Sequence, residues 1–180
     1  MNVVFWLLMI QGALGAFDTL FYHEWRAHLP AGCPGTSTEL QLHAARDFIY
    51  LILFATLPYH EWHGGYAVVL VFLLLTEIAI TITDFVVEDR TRQNLGGVYP
   101  GERATHTIIA IIYGAMLANF CPILLSWCNQ PSNIISSHVE APIIVRYVLG
   151  AMAILVFFSG LRDILAAAGI KECAWPWSKM

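Results

Sequence analysis

Charged side chains are scarce in this sequence. They make up 12% of its residues, about half of the share that is usual in soluble domains. Hydrophobic residues reach 58%, and the mean hydropathy is +0.64. The net charge of −4 leaves no basic surface for nucleic acid, so no nucleic-acid partner is expected. We therefore predict an integral membrane protein, and 180 residues suit a single transmembrane domain over residues 1–180.

Several chemical signatures are also missing. The four cysteines form no C-x-x-C pair, which argues against a disulfide framework and against a thiolate metal site. Both lysines, Lys171 and Lys179, lie near the C-terminus, so no predicted span offers an amine for a retinal-type Schiff base. The sequence has no G-x-S-x-G, P-loop or dinucleotide fingerprint, which removes support for a serine hydrolase or a nucleotide-driven pump.

Five apolar stretches are long enough to cross a bilayer, for which a helix needs about 20 residues. Backbone inside a membrane must satisfy its own hydrogen bonds, so these stretches are expected to be helices. Arginine and lysine collect near one side of them and only Arg146 lies near the other, which predicts an outer N-terminus and a cytoplasmic C-terminus. The expected location is a bacterial inner (plasma) membrane. The predicted spans are residues 3–25, 39–60, 66–89, 104–127 and 142–165.

A carboxylate and an imidazole four residues apart occur twice, as Glu39 with His43 and as Glu102 with His106. The two pairs are separated by 63 residues, and other residues match at nearly the same offset. In a chain with so few polar residues, such polar matches favour an internal repeat.

The repeat predicts the architecture. We expect an all-α membrane protein in which four of five transmembrane helices form a bundle of two repeated helical hairpins. The copies would cover residues 1–63 and 64–127 and run parallel, about an axis along the membrane normal. A fifth helix, at about residues 142–165, would be added to this bundle.

The repeated polar residues fall near the cytoplasmic ends of the predicted helices. Residues four apart share one face of a helix, so each pair can aim at one point. Ionisable groups in a membrane span are costly and are usually paired or functional. The candidate metal ligands are Glu24, Glu39, His43, Glu88, Glu102 and His106. The candidate supporting or alternative ligands are Asp18, His23, Asp84 and Glu77.

Crowded carboxylates repel one another, and two divalent cations would relieve that repulsion. Carboxylate and imidazole ligands without thiolate suit iron, with manganese or zinc as alternatives. In type and order, the four glutamates and two histidines resemble the ligands of ferritin-like di-iron carboxylate proteins. That family spaces glutamate and histidine three apart, whereas this chain spaces them four apart. Membrane desaturases and alkane hydroxylases use histidine boxes such as H-x-x-H-H, which this sequence lacks.

These residues predict an oxygen-dependent di-iron oxidoreductase of the hydroxylase or desaturase type, at the cytoplasmic membrane face. A lipid, hydrocarbon or quinone would enter from the bilayer, and a separate donor would supply electrons, since no flavin or haem motif is visible. Alternatives stay open. A metal-ion or proton transporter would extend its path through Glu77. A haem b cytochrome would use His43 and His106 as axial ligands, and a hydrolase would use zinc at the same residues.

Overall fold

The computed structural model describes residues 1–31, 35–93, 96–136 and 141–170. This part of the chain is almost entirely helical. Two short strands, β1 (His60–His63) and β2 (Asn133–Ser136), pair antiparallel at one end of the molecule. The helices α1 to α5 are, in chain order, Asn2–Phe17, Ser37–Thr56, Gly65–Thr91, Pro100–Cys128 and Ile143–Ala167.

Helix α1 continues without a break into a π-helical segment, Asp18–Arg26. Its backbone hydrogen bonds join residues five apart, as from the Ala27 N–H to the Tyr22 carbonyl. Residues five apart are therefore stacked one turn above each other here. π-helical turns are rare and are frequent at functional sites.

Four helical segments are long and apolar enough to cross a membrane. Only 22% to 28% of the residues in their apolar windows are buried inside the protein. Large side chains such as Phe72 and Ile111 therefore lie on the outer surface, where each is about two-thirds exposed (65% and 67%). The four segments are Asn2–Arg26, Gly65–Thr91, Pro100–Cys128 and Ile143–Ala167.

Helix α2 differs from the other four. It has 20 residues, but Glu39, Arg46 and Asp47 place three charges in its first eleven residues, and it is not one of the four apolar segments. It also ends at Thr56, four residues before the predicted end of the second span. Pro58 follows, and the chain then enters β1. The bounds of the other spans agree with the sequence prediction to within a few residues.

The five helices pack in a closed ring in the order α1, α4, α3, α2, α5. The most extensive contact joins α2 and α5, so α5 is an integral wall of the bundle rather than an addition to a bundle of four. Each helix contributes apolar side chains to one core. Fully buried examples from the five helices are Phe5, Leu53, Leu70, Phe120 and Leu149.

Candidate metal centre

One end of the ring collects acidic and imidazole side chains from four chain segments. These segments are the π-helical segment, the first turns of α2, the last turns of α3 and the first turns of α4. Each side chain belongs to a residue that is at most 8% exposed. We refer to these eight residues as the polar cluster: Asp18, His23, Glu39, His43, Asp84, Glu88, Glu102 and His106.

The two repeated pairs occupy matching places in their helices. Glu39 lies in the first turn of α2 and Glu102 in the first turn of α4, with a histidine one turn further along each helix. A carboxylate is stabilised at a helix N-terminus by the partial positive charge of the unpaired N–H groups. Glu102 also approaches the Tyr99 N–H, at 3.4 Å from its Oε2.

The His23 ring lies among several members of the polar cluster. Its Nε2 is 3.4 Å from Asp18 Oδ2 and 3.2 Å from Glu102 Oε1. Neither contact is a hydrogen bond, and Nε2 has no other hydrogen-bond partner in the described part of the chain. The ring also stacks on His43, with centroids 4.5 Å apart. Buried polar atoms are normally hydrogen-bonded, so a buried nitrogen that faces two carboxylates in this way suits a cation between them.

His106 points one ring nitrogen at each of two carboxylates. Its Nε2 is 2.9 Å from Asp18 Oδ2, and its Nδ1 is 3.4 Å from Glu88 Oε1. The ring face stacks on Phe85, at 5.3 Å between centroids. Metal-bound histidines commonly offer the second ring N–H to a carboxylate, which fixes the tautomer. Glu88 is placed for that supporting role when Nε2 is the ligand.

Two overlapping groups of residues have ligand atoms within 4.8 Å of one another: Asp18, His23 and His106, and Glu88, Glu102 and His106. Metal–ligand bonds of about 2.0–2.2 Å separate the ligand atoms of a tetrahedral site by about 3.3–3.6 Å. The contacts of 3.4 Å and 3.2 Å around His23 are close to that separation. The polar cluster therefore contains two groups of residues that could hold a metal ion.

His43 turns toward the end of α3. Its Nε2 is 3.2 Å from Asp84 Oδ2, and Arg46 Nη1 is 3.2 Å from the same oxygen. Asp84 thus has a permanent positive partner. The pairing crosses the two proposed repeat halves, as does the pairing of Asp18 with His106.

Arg92 contributes a cation that the sequence analysis did not assign to the site. It lies just beyond α3, is 1% exposed, and contacts Glu39 Oε1 through Nε at 3.0 Å and Nη2 at 2.6 Å. The same Nη2 is 3.0 Å from Glu102 Oε1. Burial alone would lower the pKa of the Arg92 guanidinium, but its hydrogen bonds to Glu39 and the nearby carboxylates raise the pKa above its usual value.

Two further candidate residues lie against other partners. Glu24 is fully buried and forms an ion pair with Arg162 of α5, whose guanidinium also contacts Asp163. Glu77 lies deeper in α3, where its Oε1 accepts hydrogen bonds from Tyr50 and Thr81, each at 3.0 Å. Neither glutamate belongs to the polar cluster.

The candidate residues that lie together are not all ones that the sequence analysis placed first among the ligands. His106, Glu102 and Glu88 lie together, as the ligand prediction requires. Asp18 and His23, expected as supporting or alternative ligands, lie directly among them. Comparison with protein families, with curated proteins and with solved structures finds no match, so the interpretation depends on the geometry of the site itself.

Proposed function

We propose that this chain is an integral membrane metalloprotein that oxidises a hydrophobic substrate at a metal centre built from the polar cluster. The observation that carries the metal assignment is the His23 ring nitrogen, which is buried between two carboxylate oxygens without a hydrogen bond to either. An imidazole in a protein interior normally satisfies both nitrogens. A bound cation supplies the missing partner and also neutralises the neighbouring acids.

The membrane location is supported by the outer surface of the ring. The four apolar segments direct most of their side chains outward, and these are large hydrocarbon groups. A water-soluble monomer rarely exposes one continuous apolar surface of this kind. In a bilayer the same surface meets lipid, while the polar cluster is buried at one end of the ring.

The residues that would hold a metal are Asp18, His23 and His106, with Glu102 next to His23. Two imidazoles with carboxylates and no thiolate suit iron, manganese or zinc; of these, iron and manganese can change oxidation state, and iron is the metal proposed here. Bound there, it would supply the redox chemistry, while the protein fixes ligand geometry and excludes water. Electrons would come from a separate donor protein, and the substrate would be a lipid, hydrocarbon or quinone that reaches the site from the bilayer.

The cross-pairing of aspartates and histidines supports the proposed duplication. Asp18 of the first copy contacts His106 of the second, and Asp84 of the second contacts His43 of the first. The ring order supports it too, because α1 packs on α4 and α3 packs on α2. A two-fold arrangement of two hairpins would give these paired contacts.

Elemental analysis of the detergent-purified protein tests the metal assignment. Wild type should carry iron, manganese or zinc, whereas Asp18→Asn and His106→Ala should lose it. Asp89→Asn is the matched control, because Asp89 lies next to Glu88 but its side chain is 62% exposed and pairs with Arg103. Absence of metal from wild type after loading with each of the three ions would contradict the proposal.

Oxygen consumption tests the reaction class. The iron-loaded protein, given a chemical reductant and a bilayer lipid, should consume oxygen faster than the Asp18→Asn variant. A Soret band in the visible spectrum would instead support haem. The haem alternative has less support, because the His43 ring is stacked on His23 at 4.5 Å and faces Asp84.

A transporter is the second candidate, and one observation favours it. Below the polar cluster, Glu77, Tyr50 and Gln11 form a buried chain of polar contacts toward the middle of the bundle. Beyond Gln11 the core is filled by apolar side chains such as Leu8 and Phe54, which would block a continuous path. Metal uptake into proteoliposomes that contain the protein would favour transport over oxidation.

A further inference from the structure

The space between Glu39 and Glu102 holds a guanidinium group. These two acids are the matching glutamates of the repeat, and the sequence predicts that both bind metal. Arg92 approaches Glu39 Oε1 with two nitrogens, at 2.6 Å and 3.0 Å, and Glu102 Oε1 at 3.0 Å. Its guanidinium therefore joins the two acids as a bridging cation would.

Glu39 is fully engaged by this arrangement. Its Oε1 accepts from Arg92, and its Oε2 accepts from the Thr91 hydroxyl at 2.8 Å. Hydrogen bonds between a carboxylate and an arginine are charge-assisted and among the stronger ones in proteins. Glu102 is held less closely, because Arg92 Nη1 donates to its Oε2 at 3.4 Å, and its Oε1 faces His23 at 3.2 Å as well as Arg92 at 3.0 Å.

We infer that Arg92 occupies the position of the second cation, so that the centre binds one divalent metal ion rather than two. The ion would be held by Asp18, His23 and His106, beside Glu102, whose Oε1 lies 3.2 Å from His23 Nε2. This inference rests on the proposed function, because it specifies how many metals the proposed site takes. It assigns Arg92 as a positioning residue that holds Glu102 in place.

The geometry of His106 supports a single ion. The two groups of ligand-capable residues share this histidine, which points Nε2 at Asp18 and Nδ1 at Glu88. A neutral imidazole offers one lone pair, because its other nitrogen carries the proton. One ion bound through Nε2 leaves Nδ1–H directed at Glu88, and the second group then has no imidazole to contribute.

Metal counting on variants of Arg92 and Glu39 tests the inference. Each detergent-purified protein is loaded with Fe(II) without oxygen, freed of excess metal and assayed for iron per chain. Wild type, Arg92→Lys and Glu39→Gln should each bind one ion, because lysine keeps the positive charge and Glu39 is not a ligand. Arg92→Gln should bind a second ion, because it leaves Glu39 and Glu102 without their cation.

The outcomes separate this inference from the proposed function. Two ions in wild type, with loss of one in Glu39→Gln, would overturn the inference and leave the metalloprotein assignment intact. A single ion in Arg92→Gln would also overturn it. No metal in wild type would remove the proposed function itself. If Arg92→Gln does not fold, wild type, Arg92→Lys and Glu39→Gln still decide between one ion and two.

Discussion

Replacing Arg92 by glutamine should destabilise the metal-free protein strongly. The guanidinium is 1% exposed and lies between two glutamates that are fully buried. Removing it leaves both carboxylates near each other in a medium that solvates charge poorly. Loss of one partner from a buried ion pair typically costs about 3–5 kcal/mol. An attraction of about 4 kcal/mol, for unit charges 4 Å apart at an effective dielectric constant of 20, is of the same size.

A double-mutant cycle isolates the contribution of the Arg92–Glu39 pair. The free energy of unfolding of wild type, Arg92→Gln, Glu39→Gln and the double variant is measured by detergent-induced unfolding in mixed micelles. A chelator is present, because bound metal would add stability of its own. We expect a coupling energy of about 2 kcal/mol or more. The Asp89–Arg103 pair is the control, because both side chains are about 60% exposed (62% and 60%), and exposed pairs couple by less than about 1 kcal/mol. Equal coupling for the two pairs would refute the reasoning.

Three further outcomes are expected. Gly64→Ala should destabilise the protein by about 2 kcal/mol in the same unfolding assay, because Gly64 has a φ of +57° and an added Cβ would lie 2.6 Å from neighbouring backbone; Gly114→Ala, at an open helical position, should not. Tyr50→Phe should cost about 1–3 kcal/mol, because it removes the hydrogen bond to Glu77 and leaves the Gln11 amide without its acceptor; an unchanged unfolding curve would contradict this. Metal affinity, measured by competition with a chelator, should fall as the pH is lowered, since imidazole ligands bind only after losing their proton; a flat profile would argue against histidine ligands.

Much of the fold is predictable from hydrophobicity because a long apolar helix has few alternatives. The spans at residues 66–89, 104–127 and 142–165 correspond to α3, α4 and α5. The second span is predicted less well, because α2 carries several charged residues. The polar first part of this helix faces the polar cluster and α5 rather than a lipid surface. The ring order depends on contacts between distant segments, and no local pattern encodes them.

The sequence predicts which residues are candidates for the site, but not which of them lie closest together. Spacing of four residues identifies Glu102 and His106 because both lie on a regular α-helix. Asp18 and His23 are five residues apart, which places them on different faces of an α-helix but on one face of a π-helix. Their placement on one face therefore depends on the π-helical backbone, whereas an argument from periodicity assumes a regular α-helix. Arg92 lies outside the helices, so its contact with Glu39 follows from tertiary structure alone.

The position of each acid in its helix indicates where a bound cation would stabilise the site most. Glu39 and Glu102 lie at helix N-termini, where the backbone favours negative charge. Glu88 lies in the last turn of α3, where the backbone disfavours it. Within the described residues its Oε2 has no hydrogen-bond partner, and its Oε1 lies 3.4 Å from His106 Nδ1. A metal on His106 Nε2 would make that ring a stronger donor toward Glu88. Glu88, whose negative charge the backbone stabilises least, thus lies next to His106, the histidine that both groups of candidate ligands share.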